Sequence, residues 1–201
     1  MDDSEMNLKS NISSPETPQA SSRSIFGYTV VALGLALCIR FFIAAPYIVE
    51  GSSMEPTFFG FDYLIIDKVI YDIQKPARGE VIVFTLPQDA SRSLIKRVIG
   101  LPGETVRISG STVTIINASH ADGFTLEEPY IDPLNASQGE SLERTLGENE
   151  YFVLGDNRRV SSDSRIWGNL PAKDISGRVD VRLFPFNAIR TVPGKYTYLE
   201  K

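Results

Sequence analysis

Val49-Glu50-Gly51-Ser52-Ser53-Met54-Glu55-Pro56-Thr57 divides the chain into two kinds of sequence. On its N-terminal side, Ile25 to Ile48 is apolar and holds a single charged side chain, Arg40. A run of about 20 apolar residues in a helix spans a bilayer core, so this segment reads as a transmembrane anchor. Arg40 stands near its C-terminal end, where the stem reaches the interface and the charge suits a helix C-terminus; Pro46 is expected to end the helix. On the C-terminal side nearly everything reads as β-sheet. The stretch thus presents a serine just beyond a membrane segment, at a strand end and before a proline turn.

Residues 1–24 are polar, rich in Ser, Asn, Pro and Glu, and cannot bury enough apolar surface to offset chain entropy. They read as a disordered tail. Lys9 and Arg23 precede the apolar segment, whereas Val49 to Asp67 contain no lysine or arginine. The positive-inside rule then puts the N-terminus in the cytoplasm and residues 49–201 on the far side of the membrane. A removable signal peptide fits less well. The tail is acidic, the apolar run exceeds a usual h-region, and Ile43 spoils a small-x-small junction at Ala45.

Beyond the divide, strand-like runs fall at Tyr47–Val49, Tyr63–Val69, Glu80–Leu86, Ser93–Ile99, Thr105–Ser109, Thr112–Asn117, Tyr151–Leu154 and Gly177–Phe184. Gly, Pro, Asn and Asp punctuate them, and Ser109-Gly110-Ser111 reads as a hairpin turn. The expected class is mostly β: an antiparallel sheet domain with a smaller inserted, cap-like region over about 105–150. Within it, residues 118–149 look polar, acidic and irregular.

Composition narrows the function. A net charge of −5 argues against a nucleic-acid binder. The single histidine, His120, lies in a polar stretch and reads as a surface-loop residue rather than a triad member. With one cysteine, Cys38, and no Cys/His cluster, no metal site and no cofactor are expected. Ser53 alone reads first as an ordinary strand-to-turn residue, because a serine needs a base to become a nucleophile. Lys96 sits between Leu94 and Val98 on one strand face. Burial there would lower its pKa and make a general base of it, although an edge-strand lysine has the same signature. Arg97 falls on the opposite face and reads as structural. Gly155 through Gly168 is dense in turn formers and paired charges, with Trp167 placed to anchor it.

Together these blocks resemble type I signal peptidases, membrane-anchored serine proteases with a Ser/Lys dyad. Gly51-Ser52-Ser53-Met54-Glu55-Pro56-Thr57, Arg78-Gly79-Glu80-Val81-Ile82-Val83-Phe84, Lys96-Arg97-Val98-Ile99-Gly100-Leu101-Pro102-Gly103-Glu104 and Gly155–Gly168 occur in the family's order, with Glu128-Pro129-Tyr130-Ile131 as a weaker fifth. The resemblance implies Ser53 as nucleophile and Lys96 as general base. It implies Ser161 as the serine that orients the lysine, and Asp163, Arg165, Asp156 and Asn157 as supports. Gly51, Ser52, Met54 and Ile95 would meet substrate. Gly51 stands where some members carry a serine donor for the oxyanion, so the oxyanion hole would rest on the Ser53 N–H and a second donor. Arg159-Val160 departs from the Asp-Asn often found there. The implied partners are signal-peptide-bearing pre-proteins and the lipid bilayer of a cell or thylakoid membrane, and the implied state is a monomer. Two rivals have features against them. Self-cleaving repressor-type proteins are soluble and bind DNA; an inactive β-domain would not need Ser53, Lys96 and Ser161 together.

Overall fold

Val81-Ile82-Val83-Phe84 is apolar at four consecutive positions, and all four are buried. A strand with no polar alternation must be covered on both faces, and this one lies inside a sheet with a separate apolar cluster on each side. The computed structural model describes residues 22–137, 139 and 141–198. The chain divides into a unit up to Leu37 and a unit from Cys38 onward.

Among the described residues of the second unit, the strands run as β1 (Ala44–Ile48), β2 (Tyr63–Asp67), β3 (Val81–Leu86), β4 (Asp89–Gly100), β5 (Thr105–Ser109), β6 (Thr112–Asn117), β7 (His120–Thr125), β8 (Ser141–Thr145), β9 (Glu150–Leu154), β10 (Leu170–Pro171), β11 (Ile175–Phe184) and β12 (Arg190–Thr191). The larger sheet has the order β1-β2-β11-β3-β4-β9-β10, with β12 on β11; the smaller is β7-β6-β5-β8. Every pairing is antiparallel. One face of the larger sheet buries Val49, Met54, Phe58, Leu64, Val83 and Ile95, and the other Ile82, Phe84, Val98 and Leu170. A third cluster joins Ile99, Phe152 and Leu154 to Val106, Ile108, Val113 and Ile115 of the smaller sheet. There β5 alternates buried and open positions, as expected of a sheet wet on one face.

Three expectations need correction. Residues 118–149 are not irregular: β7 and β8 complete the smaller sheet. Their composition hid them, because β8 is polar and held by its backbone ladder and by cross-strand pairs, Arg107–Glu143 at 2.7 Å and Thr105–Thr145 at 2.9 Å. The apolar segment is not one helix ended by Pro46. Helix α1 covers Ser22–Cys38, a π-helical turn covers Ile39–Ile43, and residues 44–48 are β1. Pro46 therefore lies within an edge strand, where a missing N–H is tolerated, rather than ending a helix. No helix among the described residues is long and apolar enough to cross a membrane. Finally, Ser22 to Ser24 belong to α1, and the rest of the expected tail lies outside the described residues.

Candidate active site

Beyond β1 the chain closes a tight loop. The Val49 N–H donates to Asp62 O at 3.0 Å and the Phe61 N–H to Val49 O at 2.9 Å. Inside it, Gly51 takes φ +77°, a left-handed conformation that a side chain resists. Met54 and Phe58, 1% and 0% exposed, pin the far side of the turn into the core. Ser53 is thus carried on a turn fixed at both ends. The Ser53 N–H has no hydrogen-bond partner among the described residues.

Lys96 comes from the middle of β4 and is 2% exposed. Its Nζ lies 2.8 Å from Ser53 Oγ and 2.8 Å from the Ile95 carbonyl oxygen. Burial drives the amine pKa down from 10.5 to about 8, against the opposing pull of Asp163 and Asp156. No carboxylate is hydrogen-bonded to it among the described residues, so desolvation prevails. The pair has what a weak hydroxyl nucleophile needs: a base in contact, with a proton affinity near the working range. Of the two readings of Lys96 that the sequence left open, the structure takes the buried one.

The loop from Gly155 to Gly168 holds the pair in place. The Asn157 N–H donates to Ser53 O at 3.1 Å. Gly155 allows this approach, since a Cβ there would lie 2.4 Å from Ser53 O and 2.2 Å from Ser161 Oγ. Asp163 caps the short helix α2 (Ser164–Trp167), receives the Gly155 N–H at 3.1 Å and pairs with Arg165 through Nε at 2.8 Å and Nη2 at 2.8 Å. Trp167 packs its ring 5.5 Å from Phe84. Asp156 receives Arg97 Nε at 2.8 Å and Nη2 at 2.5 Å, and Thr57 Oγ1 at 2.5 Å. Arg97 also lies under the Tyr130 ring, 3.9 Å from its centroid, which makes it structural as its strand face implied.

Ser161 departs from expectation. Its Oγ is buried but has no hydrogen-bond partner among the described residues, because the lysine amine points to Ser53 and Ile95 instead.

An open groove of about 420 Å³ runs from Ser53 and Lys96 between the end of β1 and the first half of β4. Of the expected substrate-contacting residues, Ile95 lines it. Met54 does not: it is a core residue. Gly51 and Ser52 shape the turn and lie outside the lining. The strand edges expected to meet an extended substrate, residues 49–52 and 93–96, supply Glu50 and Ser93 to the lining; the residues that sequence reasoning missed are Tyr47, Ile48, Ser91 and Arg92. Their one visible signal was that exposed polar residues open an otherwise apolar strand. His120 is not in a loop but begins β7, its ring 4.8 Å from Phe124, and it has no part in the groove.

The sequence matches the family described as "Signal peptidase, peptidase S26" over residues 22–184. It is 39% identical over 163 residues to a probable signal peptidase I-1 of Synechocystis sp., covering 78% of this chain and 79% of that one. It is 39% identical over 183 residues to a signal peptidase I of Leptolyngbya laminosa, covering 86% and 85%. To signal peptidase I T of Bacillus subtilis it is 37% identical over 171 residues, covering 80% and 84%.

Proposed function

From the premise that the chain belongs to the signal peptidase family, peptidase S26, we propose that it cleaves signal peptides from exported pre-proteins with Ser53 as nucleophile and Lys96 as general base. The chain is a serine peptidase of the signal peptidase I type. The observation that carries the residue assignment is the 2.8 Å contact between a buried lysine amine and Ser53 Oγ.

In the neutral state the contact reverses, and the Ser53 hydroxyl donates to Nζ. Lys96 takes the proton as Oγ bonds to the carbonyl carbon at the cut. The Ser53 N–H, which has no hydrogen-bond partner among the described residues, is the donor we assign to the developing oxyanion; one such donor is typically worth about 10²–10³ in rate. The tetrahedral species collapses, the C–N bond breaks, and the Lys96 ammonium protonates the leaving amine. Lys96 then takes a proton from water as it attacks the ester, and Ser53 recovers its hydrogen on release. Asp156, Asn157, Asp163 and Arg165 act through the loop that fixes Ser53. Ser161 fills the space beside Gly155.

The substrate enters as an extended peptide between the open edges of β1 and β4, by β-augmentation. Alternate side chains then face the groove, which suits small residues at alternate positions before the cut. We place the chain on a membrane as a single-pass monomer, with its N-terminus cytoplasmic and the domain outside. Helix α1 covers Ser22–Cys38 and the π-helical turn Ile39–Ile43. Their exposed apolar side chains include Phe26, Tyr28, Val31, Leu35 and Phe42. Tethering to the same surface as the substrate raises effective concentration.

The test is cleavage of a purified pre-protein by the intact chain and by Ser53→Ala and Lys96→Ala variants. Both variants should lose cleavage at the signal junction; retention by both overturns the assignment.

A further inference from the structure

The groove edge on β4 is already occupied, and one of its occupants reaches across from the opposite wall. The Gly79 N–H donates to Val98 O at 2.8 Å and the Val98 N–H to Glu80 O at 2.9 Å, so the polar groups of Val98 face β3. In an antiparallel strand a residue's N–H and C=O point to one side, and the side alternates along the chain. Ser93 and Ile95 therefore turn theirs away from β3. Strand β9 covers that edge only from Arg97 onward, which leaves Ser93 and Ile95 as the open stretch. Both carbonyls there are taken. Ile95 O accepts from Lys96 Nζ at 2.8 Å, and Ser93 O accepts from the Tyr47 hydroxyl at 3.1 Å. Tyr47 belongs to β1, the other wall, so its side chain spans the cleft.

We propose that Tyr47 is a substrate-displaced latch: its hydroxyl holds the Ser93 carbonyl that the backbone of an incoming extended peptide must take. The proposal rests on the peptidase reading above. It makes Tyr47 a specificity-determining residue, because the latch opens without loss only for a peptide that brings its own N–H to Ser93 O. Proline at that register is disfavoured. The rest of the groove sharpens this dependence. The Val49 N–H and C=O are bound to the Asp62 and Phe61 backbone, so alternation turns those of Ile48 to the groove, and the next residue on that edge, Pro46, has no N–H. Strand β1 thus offers few backbone partners and β4 supplies most of them. Burial, and then the nearby Glu50 carboxylate, hold the Tyr47 phenol up to about 12, so it remains a donor throughout the working range.

The experiment uses the full chain in detergent with a signal-peptide substrate that spans the cut. Tyr47→Phe keeps the ring and removes the latch. Exchange of one neutral hydrogen bond predicts a KM lower by about two- to tenfold, which carries a rise in kcat/KM. A residue that merely packs the wall would raise KM or leave it unchanged, and either result overturns the proposal. A second measurement does not depend on the variant's behaviour. A 3-fluorotyrosine placed at position 47 of the Ser53→Ala enzyme should change its ¹⁹F shift on addition of the uncleaved substrate. Saturation without a shift change overturns the latch. Cleavage by the Ser53→Ala enzyme would instead overturn the Ser/Lys reading, an outcome separate from both.

Discussion

If Lys96 is the base, the rate must follow its neutral fraction, and the structure sets the midpoint. Burial lowers the amine pKa from 10.5 to about 8, while Asp163 and Asp156 keep it from falling further. Below that midpoint the neutral fraction drops about tenfold per pH unit, so at pH 6 about one enzyme in a hundred holds a competent base. An ordinary exposed lysine at 10.5 would be neutral in only about 0.3% of molecules at pH 8. The burial seen here therefore raises the competent fraction at pH 8 by roughly two orders of magnitude. The assay is kcat/KM for a signal-peptide substrate from pH 5 to 10 at constant ionic strength, with circular dichroism at each pH to exclude unfolding. The free-enzyme pKa is read from kcat/KM. We expect a single acid limb of unit slope with its midpoint near 8. A flat profile from pH 5 to 8, or a midpoint near 10.5, would refute the reasoning.

Two further outcomes follow from the same geometry. Gly155→Ala places a methyl 2.4 Å from Ser53 O, a backbone atom that must yield. We expect a stability loss of about 1–3 kcal/mol and, with Ser53 displaced, a cleavage rate lower on the order of 10²-fold; wild-type turnover would contradict this. Lys96→Met should be inactive yet more resistant to denaturant at pH 7. The folded pKa lies below the unfolded value, so folding opposes the charged amine. That cost is fully present below about pH 8 and is relieved as pH rises toward 10.5. Removing the charge should yield about 1–3 kcal/mol at pH 7, and urea titrations at pH 7 and pH 10 should show the variant's advantage shrinking at the higher pH.

What the sequence made legible was what apolar periodicity and turn chemistry control. The strands from Tyr63 to Ile99 and the Gly110 hairpin lie where the pattern put them. Strands β7 and β8 escaped because a strand paired through its backbone need not be apolar: Ser141–Thr145 has four exposed positions of five. The early start of β1, at Ala44 rather than Tyr47, escaped because Ala-Ala-Pro is apolar in either state. Only the ladder to β2, from Ala44↔Asp67 to Pro46↔Ile65, decides it. At the site, Ser53 and Lys96 were named from their motifs, and the structure brings them within 2.8 Å. The contact of Tyr47 with Ser93 was not legible, since it depends on residues 46 apart in sequence meeting across a cleft. Met54 was assigned to the substrate through the family resemblance, whereas on this turn its side chain packs into the core.

The contrast between Lys96 and Arg97 explains why these blocks occur together. Both are buried cations on consecutive residues of β4, 2% and 0% exposed. Arg97 stays charged because Asp156 meets it with two hydrogen bonds at 2.8 and 2.5 Å. The Lys96 amine meets only two uncharged oxygen acceptors among the described residues, Ser53 Oγ and the Ile95 carbonyl, and desolvation lowers its proton affinity. Asp156 nevertheless acts on Lys96 as well, pulling its pKa upward. Pairing with Arg97 sets a positive charge against that pull. An unpaired carboxylate so near would hold the amine protonated and idle at neutral pH. Asp163 is balanced by Arg165 in the same way. The loop therefore brings in two carboxylates to build the turn under Ser53, each with its own arginine, and the lysine remains the one buried cation of the site without a carboxylate hydrogen-bonded to it among the described residues. Replacing either arginine by a neutral residue would damage the base through the carboxylate left behind, even though neither guanidinium touches Ser53.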